Sequence, residues 1–353
     1  MATRLPNGKY RAQVYIGTDE SGKRLYRSFV EDTSDKADFC ALSFKLTSGK
    51  KTSKKETTVK VACVAYIDSR RGVLSPTTVD FYEMIVRNFG SFLDSPLDSV
   101  SKQSFQRAVT AYASQISERT GRKRSFDSVE NAYRFINSVL AENEIYIRGI
   151  KLPQKPKKIY TTPDEEELRK IFEAVKGSKF ELPVLLASWL SLRRSEICGL
   201  QFRDIDFENH VIHIRRAKVL ASRTTHLKSP KTFESDREIY LPEFIGEILI
   251  KERNGKNDND FVFGNSPAYI SSHFKEFLKR RGITPCKFHE LRHAFVSICH
   301  AHGIGDSYVQ KIGGWSNSYV MRSTYLQTYS DVERQKSKEI EQIFIDILQH
   351  NAT

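Results

Sequence analysis

At 353 residues the chain is long for one domain and suits two or three. Its net charge of +13 implies a polyanionic partner more readily than a small acidic substrate. No apolar run approaches the roughly 20 residues needed to span a bilayer, Met1–Pro6 opens without the apolar core of a signal peptide, and no membrane partner is expected. The five Cys are widely spaced, form no Cys-x-x-Cys and read as reduced, mostly buried thiols in a cytoplasmic protein. Cys299, His300 and His302 have no second ligand pair beside them; they read as helix-end residues, and no structural zinc is expected.

Residues 1–50 form a small unit. Tyr10–Ile16 and Arg24–Phe29 alternate in type around an Asp19–Lys23 turn, which predicts a hairpin with one apolar face and one carrying Arg11, Arg24 and Arg27. Ser34 is placed to cap a following helix that runs to about Leu46. A β-ribbon with basic side chains can enter a DNA major groove, and from pattern alone this reading and that of merely solvated charges stand equal. Ser48–Lys55 is a polar, positively charged linker.

Residues 57–150 read as four helices forming a compact bundle. Thr57 or Thr58, Ser75-Pro76, Ser101 and Ser125 mark the starts, each followed by apolar residues at helical spacing. Between the last two helices, Arg119, Arg122, Lys123 and Arg124 make a loop dense enough in charge to meet phosphates, a reading preferred here to simple solvation. Lys151–Lys158, with two prolines, reads as an extended interdomain linker.

The third unit, 160–353, opens with a helix capped by Thr162-Pro-Asp-Glu-Glu-Glu. Trp189–Asp206 reads as a helix whose apolar stripe includes Leu190, Leu192, Ile197 and Leu200, with Arg193 and Glu196 beside it. Val211–Ile214, Ala217–Leu220 and Arg237–Leu241 are short strands suited to one three-stranded sheet, the last preceded by Pro230-Lys231-Thr232. In the stretch His289–Tyr325, His289 and Arg292 share a helix face and can meet one small anion, a Gly-Gly-Trp-Ser turn follows, and Tyr325 is a candidate nucleophile. Taken alone, that stretch suits a polar helix face with a core Tyr about equally well.

The Arg193 string resembles the first active-site box of the tyrosine recombinase (phage integrase) family, usually Thr-Gly-Leu-Arg with Glu three residues on and Asp-Ile-Asp after it. His289-Glu-Leu-Arg-His293 is similar to the second box, and Gly314-Trp315 stands where the family has Gly-His or Gly-Trp. Leu190-Ser191 departs from the usual Thr-Gly, and Trp315 from the commoner His. Pro230-Lys-Thr followed by Arg-x-Ile-x-Leu looks like the β-turn lysine motif, which favours Lys231 over its close competitor Lys228.

The resemblance implies a mainly α, multidomain chain: an arm-type DNA-binding domain with a small sheet and a helix, a helical core-binding bundle, and a mixed α+β catalytic domain with a small antiparallel sheet. It implies a bacterial, DNA-associated integrase that cuts and rejoins DNA without metal or ATP through a 3′-phosphotyrosine at Tyr325. Arg193 and Arg292 would clamp the phosphate, His289 and Trp315 would donate hydrogen bonds, and Lys231 would protonate the leaving oxygen. Glu196 and His293 would support them. A type IB topoisomerase and a non-catalytic DNA-binding regulator are the alternatives. Double-stranded DNA at core and arm-type sites and a homotetramer on two DNA sites are the implied partners, with room for an excisionase or a host DNA-bending protein. Ile340, Ile343, Phe344, Ile347 and Leu348 predict an amphipathic helix over 333–350, which in related integrases is passed to a neighbouring protomer.

Overall fold

The computed structural model describes residues 2–18, 22–47, 57–117, 121–156, 162–221, 224–228, 236–315 and 321. Lys231, Tyr325, Arg119, the Ser48–Lys55 linker and the predicted 333–350 helix lie outside these described residues. The chain divides into two compact units, Met1–Lys157 and Lys158–Thr353.

In the first unit, β2 (Tyr10–Thr18) and β3 (Arg24–Glu31) pair antiparallel, and the short β1 (Thr3–Arg4) adds a third strand beside β2. The strand alternation puts Ala12 and Val14 against Ala37 and Ala41 of α1 (Ser34–Thr47), so the sheet covers one helix face. Thr33 rather than Ser34 starts that helix: its hydroxyl accepts from the Lys36 amide at 3.4 Å. Phe39 leaves the same helix on another side and joins the core of the helical bundle.

That bundle consists of α2 (Val59–Asp68), α3 (Pro76–Asn88), α4 (Lys102–Ser114) and α5 (Phe126–Glu142). Thr58, Ser101 and Ser125 each accept an orphan amide of the first turn, while Pro76 occupies the first helical position of α3, where its missing N–H costs nothing. Aromatic pairs fill the centre, among them Tyr82 stacked on Phe135 at 4.1 Å and Phe92 on Phe105 at 5.4 Å.

The second unit opens with α6 (Glu165–Val175), where Asp164 caps and Glu167 reaches back to the cap amide. α7 (Glu181–Trp189) is buried on nearly every side and packs against α11 (Phe288–Ala301). After α8 (Arg194–Gly199), β4 (Ile205–Asp206), β5 (Val211–Ile214) and β8 (Arg237–Tyr240) form a three-stranded antiparallel sheet. Ala217–Leu220, predicted to be one of its three strands, forms β6 (Ala217–Ala221) and instead pairs with β7 (Thr224–Lys228) as a separate hairpin. The segment is a strand, as its local pattern predicts; pairing is a tertiary choice that local pattern does not encode. α9 (Glu243–Glu252), α10 (Pro267–Arg280) and α12 (Asp306–Gly313) complete the described part of the unit.

The β6–β7 hairpin is seated on α8 through Gly199. A Cβ at that position would lie 3.0 Å from the Arg216 carbonyl oxygen and 3.0 Å from the Lys218 amide, both backbone atoms that cannot swing aside. We expect Gly199→Ala to destabilise the second unit by about 1–3 kcal/mol in denaturant unfolding. A change below a few tenths would mean that the hairpin moves without resistance.

Candidate active site

The chain leaves α7 through Ser191, which is fully buried and has φ +56°, and re-enters helix at α8 with Arg193 as the N-cap. Arg193 is therefore not on a continuous helix, as the apolar stripe predicts: Leu190 and Leu192 belong to the turn, and only Ile197 lies within α8. Glu196 folds back over the first turn of α8. Its carboxylate accepts from the Arg193 amide at 2.8 Å and from Arg193 Nη1 at 2.6 Å. Glu290 does the same at the start of α11, accepting from the Lys287 amide at 2.6 Å. Both boxes thus begin with a glutamate three residues past the cap that satisfies an orphan N–H.

Arg237 on β8 closes the other side of Glu196, with Nη1 at 3.3 Å and Nη2 at 3.0 Å from its two oxygens. In the sequence this arginine figures only as part of the Arg-x-Ile-x-Leu string. Its place at the head of a strand otherwise alternating with apolar residues is the available signal, since a charge on the inward register demands a partner. Burial alone would raise the Glu196 carboxyl. Arg237, then Arg193, then Arg292 outweigh it and hold the group at about 2.

Three arginines converge on the C-terminus of α12. Arg237 Nε donates to the Ile312 carbonyl at 2.7 Å, Arg292 Nη2 to the Gly313 carbonyl at 2.7 Å, and Arg193 Nη2 to the Gly314 carbonyl at 2.6 Å. These are helix-end carbonyls with no intrahelical partner, at the negative end of the helix dipole. Arg292, 2 % exposed, also donates to the Ser191 carbonyl, and its guanidinium lies 3.8 Å from the Trp315 ring centroid. The two glycines serve this packing. Gly314 takes the left-handed conformation with φ +62°, and a Cβ on Gly313 would collide with the indole.

His289 lies three residues before Arg292 on α11, on the same helix face, and its ring meets that of His293 edge-on at 4.8 Å. Packing around each ring, followed for His289 by the Arg292 and Arg193 charges, pushes both imidazoles down to about 4. Each is neutral at pH 7, so His289 can donate a hydrogen bond from one ring nitrogen without carrying charge.

Of the basic residues read as DNA contacts, Arg11 stands on the exposed outer face of the sheet across from Val30, in one row with Gln13 and Tyr15, whose cross-strand partners are Ser28 and Tyr26. Gln13 donates to Ser28 Oγ at 3.1 Å, and the two tyrosines meet edge-on at 5.7 Å. Arg24 and Arg27 are both exposed, but Arg27 lies on the face toward α1, its guanidinium 4.6 Å from the Phe44 ring centroid. Arg122 and Lys123 are exposed; Arg124 is held in the bundle, 4.1 Å from the Tyr112 ring centroid and 2.9 Å from Gln115 Oε1.

The two histidines set a pH dependence of stability. In the unfolded chain they titrate near 6.5, and folding lowers them to about 4. Between those values the unfolded state binds more protons, so stability is present above about pH 6.5 and is lost as pH falls toward 4. Glu196 acts lower, its contribution being lost as pH falls from 4.5 through about 2. We expect the Tm to drop between about pH 7 and pH 5, and the drop to shrink in a His289→Gln/His293→Gln variant. Equal slopes for the two proteins would exclude these residues as its source.

The phage integrase family pattern matches residues 162–332. A "tyrosine recombinase XerC-like" protein of Caldanaerobacter subterraneus subsp. tengcongensis is 26% identical over 383 aligned positions that cover 96% of this chain and 96% of that one. Two solved structures share the fold. The Tn1549 transposon integrase in complex with circular intermediate DNA superposes with a TM-score of 0.66 at 18% identity, over 80% of this chain and 100% of that one. A lambda integrase tetramer bound to a Holliday junction gives 0.53 at 18% identity, over 90% and 95%. With both active-site boxes built into one arginine-rich centre, the chain is a tyrosine recombinase of the phage integrase family, a site-specific DNA recombinase.

Proposed function

We propose that this recombinase integrates and excises a mobile element by transesterification at Tyr325. The tyrosine oxygen attacks the scissile phosphorus, the bond to the 5′-oxygen breaks, and a 3′-phosphotyrosine forms; a 5′-hydroxyl from the partner strand reverses the step. The observation that carries the assignment is the convergence of Arg193 and Arg292 on adjacent carbonyls, Gly314 and Gly313, which puts two guanidiniums side by side. Together they can hold the two non-bridging phosphate oxygens, whose charge redistributes in the transition state. His289 in its neutral form and the Trp315 indole add donors, His293 braces His289, and Lys231, with Lys228 as competitor, gives the leaving oxygen its proton.

For the DNA contacts we propose an arm-type domain at 1–50, a core-binding domain at 57–150 and a catalytic domain at 160–353. The outer sheet row with Arg11 supports the first assignment, and exposed Arg122 and Lys123 support the second. Arg27 and Arg124, stacked on aromatic rings, fit a packing role better than a phosphate contact. The working assembly is a homotetramer on two DNA sites, the form in which lambda integrase was solved on a Holliday junction.

Segment 333–350 would join neighbours within that assembly. Its apolar stripe suits a groove of about 470 Å³ on the second unit, lined by Leu168, Phe172, Trp189, Phe295, Ile298 and Cys299. Deleting residues 338–353 is expected to reduce higher-order complexes on DNA in gel-shift assays while single-protomer binding stays within a few fold. An unfolded second unit or undiminished assembly would refute docking on a neighbour.

The chemistry is tested by incubating the protein with nicked duplex carrying its attachment site. A covalent adduct is expected, and Tyr325→Phe should abolish it. Arg292→Lys, which keeps the charge in a buried place but loses the planar fork, should slow adduct formation by roughly 10²–10³-fold with site binding within a few fold. An adduct mapped to Tyr319 or Tyr329, or parallel loss of binding and cleavage, would overturn the assignment.

A further inference from the structure

Arg193 and Arg292 share their partners with a third arginine, Arg237, which is buried beside them. We infer that Arg237 is a positioning residue for strand cleavage: it locks Glu196 and the end of α12 together, and through them sets the orientation of Arg193 and Arg292. The inference rests on the phosphotransfer reading above.

The geometry gives Arg237 two attachments at once. Its Nη1 and Nη2 grip the two oxygens of Glu196, and its Nε grips the Ile312 carbonyl. Glu196 in turn holds Arg193 through both Nη1 and the backbone amide, so the cap that starts α8 is fixed by the same carboxylate. Ile312 is followed directly by Gly313 and Gly314, whose carbonyls receive Arg292 and Arg193. Shifting the end of α12 by one residue's width would therefore misplace both guanidiniums. Arg237 is 8 % exposed, and its partner Glu196 is 5 % exposed, so neither has water to fall back on. A planar fork with a third donor at Nε is needed to reach carboxylate and carbonyl together; a lysine has one nitrogen and reaches one of them well.

Arg237 also stands at the head of β8, six residues after Lys231 in the chain. The strand that the arginine anchors is thus the one onto which the lysine's segment leads.

A purely structural salt bridge would lower stability when broken and leave the shape of the activity profile alone. A positioning role predicts more. Among the described residues, the charged and titratable groups facing Glu196 are Arg193 from the α8 cap, Arg237 from β8, and Arg292 and His289 from α11. Burial raises the Glu196 carboxyl, and Arg237 is foremost among the charges that lower it. Without Arg237, Glu196 takes up a proton at a higher pH and lets go of Arg193.

The test compares wild type, R237M, R237K and E196Q/R237M in the nicked-duplex adduct assay between about pH 5 and pH 8, with site binding and circular dichroism measured alongside. At about pH 7, R237M should form adduct ~100-fold more slowly while binding its site within about threefold, the loss typical of a misplaced catalytic group. Its remaining rate should fall more steeply than that of wild type as pH drops. R237K should recover part of the rate. E196Q/R237M should stay slow but lack the added acid limb, and it keeps the question open to measurement if R237M fails to fold, since the buried carboxylate that has lost one of its two arginine partners is gone. Adduct rates for R237M or E196Q/R237M within threefold of wild type would overturn the inference. So would loss of rate and binding in parallel with an unchanged pH profile. If wild type forms no adduct, or Tyr325→Phe still forms one, the phosphotransfer reading has failed and not the role of Arg237.

Discussion

The active centre depends on one contact zone, the C-terminal end of α12, where consecutive carbonyls of Ile312, Gly313 and Gly314 accept from Arg237, Arg292 and Arg193. Helix ends leave carbonyls without partners, and those carbonyls carry roughly half a negative charge in sum. Among the described residues the Glu196 carboxylate adds its charge to theirs, 2.6 Å from Arg193 and 3.0 Å from Arg237. On the phosphotransfer reading proposed above, a phosphodiester is the anion this cluster of guanidiniums would meet. The same contacts that hold α8, β8 and α12 together thus gather the three guanidiniums in one place.

Trp315 makes this concentration of charge tolerable. Its ring covers the Arg292 guanidinium at 3.8 Å to the centroid, supplying a π-face where water is excluded. Packing the indole that closely requires a bare Gly313, and turning the chain after α12 requires Gly314 in the left-handed region. The Gly-Gly-Trp string is therefore one device: two backbone permissions and one aromatic cover. A His at the Trp position would add a titratable group beside two arginines; the indole donates from its N–H and cannot acquire a charge.

What was legible in the sequence was mostly local. Caps at Thr58, Ser101, Ser125 and Asp164 are fulfilled by side-chain-to-amide bonds, because a cap is decided within four residues. The boxes around Arg193 and His289 are brought into one centre for the residues described, with Arg193 and Arg292 both at the end of α12. Less legible was anything set by the sign of a dihedral or by a choice among partners. Hydrophobic period carries the Arg193 helix straight through Ser191, since periodicity cannot register a left-handed residue. Strand alternation finds β6 but not its pairing with β7. Arg24 and Arg27, three residues apart on β3, cannot share the one basic face expected of the hairpin, and Arg27 turns to Phe44 while Arg11 stays on the outer face. Arg237 is visible as part of a motif without its role, because its partner Glu196 lies 41 residues away.

Ser191 shows how stability and chemistry are traded at this centre. A serine in the left-handed region costs of order 1–2 kcal/mol, and its buried hydroxyl has no hydrogen-bond partner among the described residues, a further cost. The related motif has glycine here, which would carry neither cost. The conformation is nonetheless kept, and the reason lies in where it sends the backbone. With φ +56° the Ser191 carbonyl is aimed at Arg292, and the chain turns in time for Arg193 to cap α8. Ser191 therefore places a carbonyl under Arg292 and the origin of Arg193 in two steps of chain. The strained conformation is held by the burial of Leu190 and Leu192 on either side, at 3 % and 1 % exposure, so that the hydrophobic core of the second unit is what keeps the two guanidiniums in register.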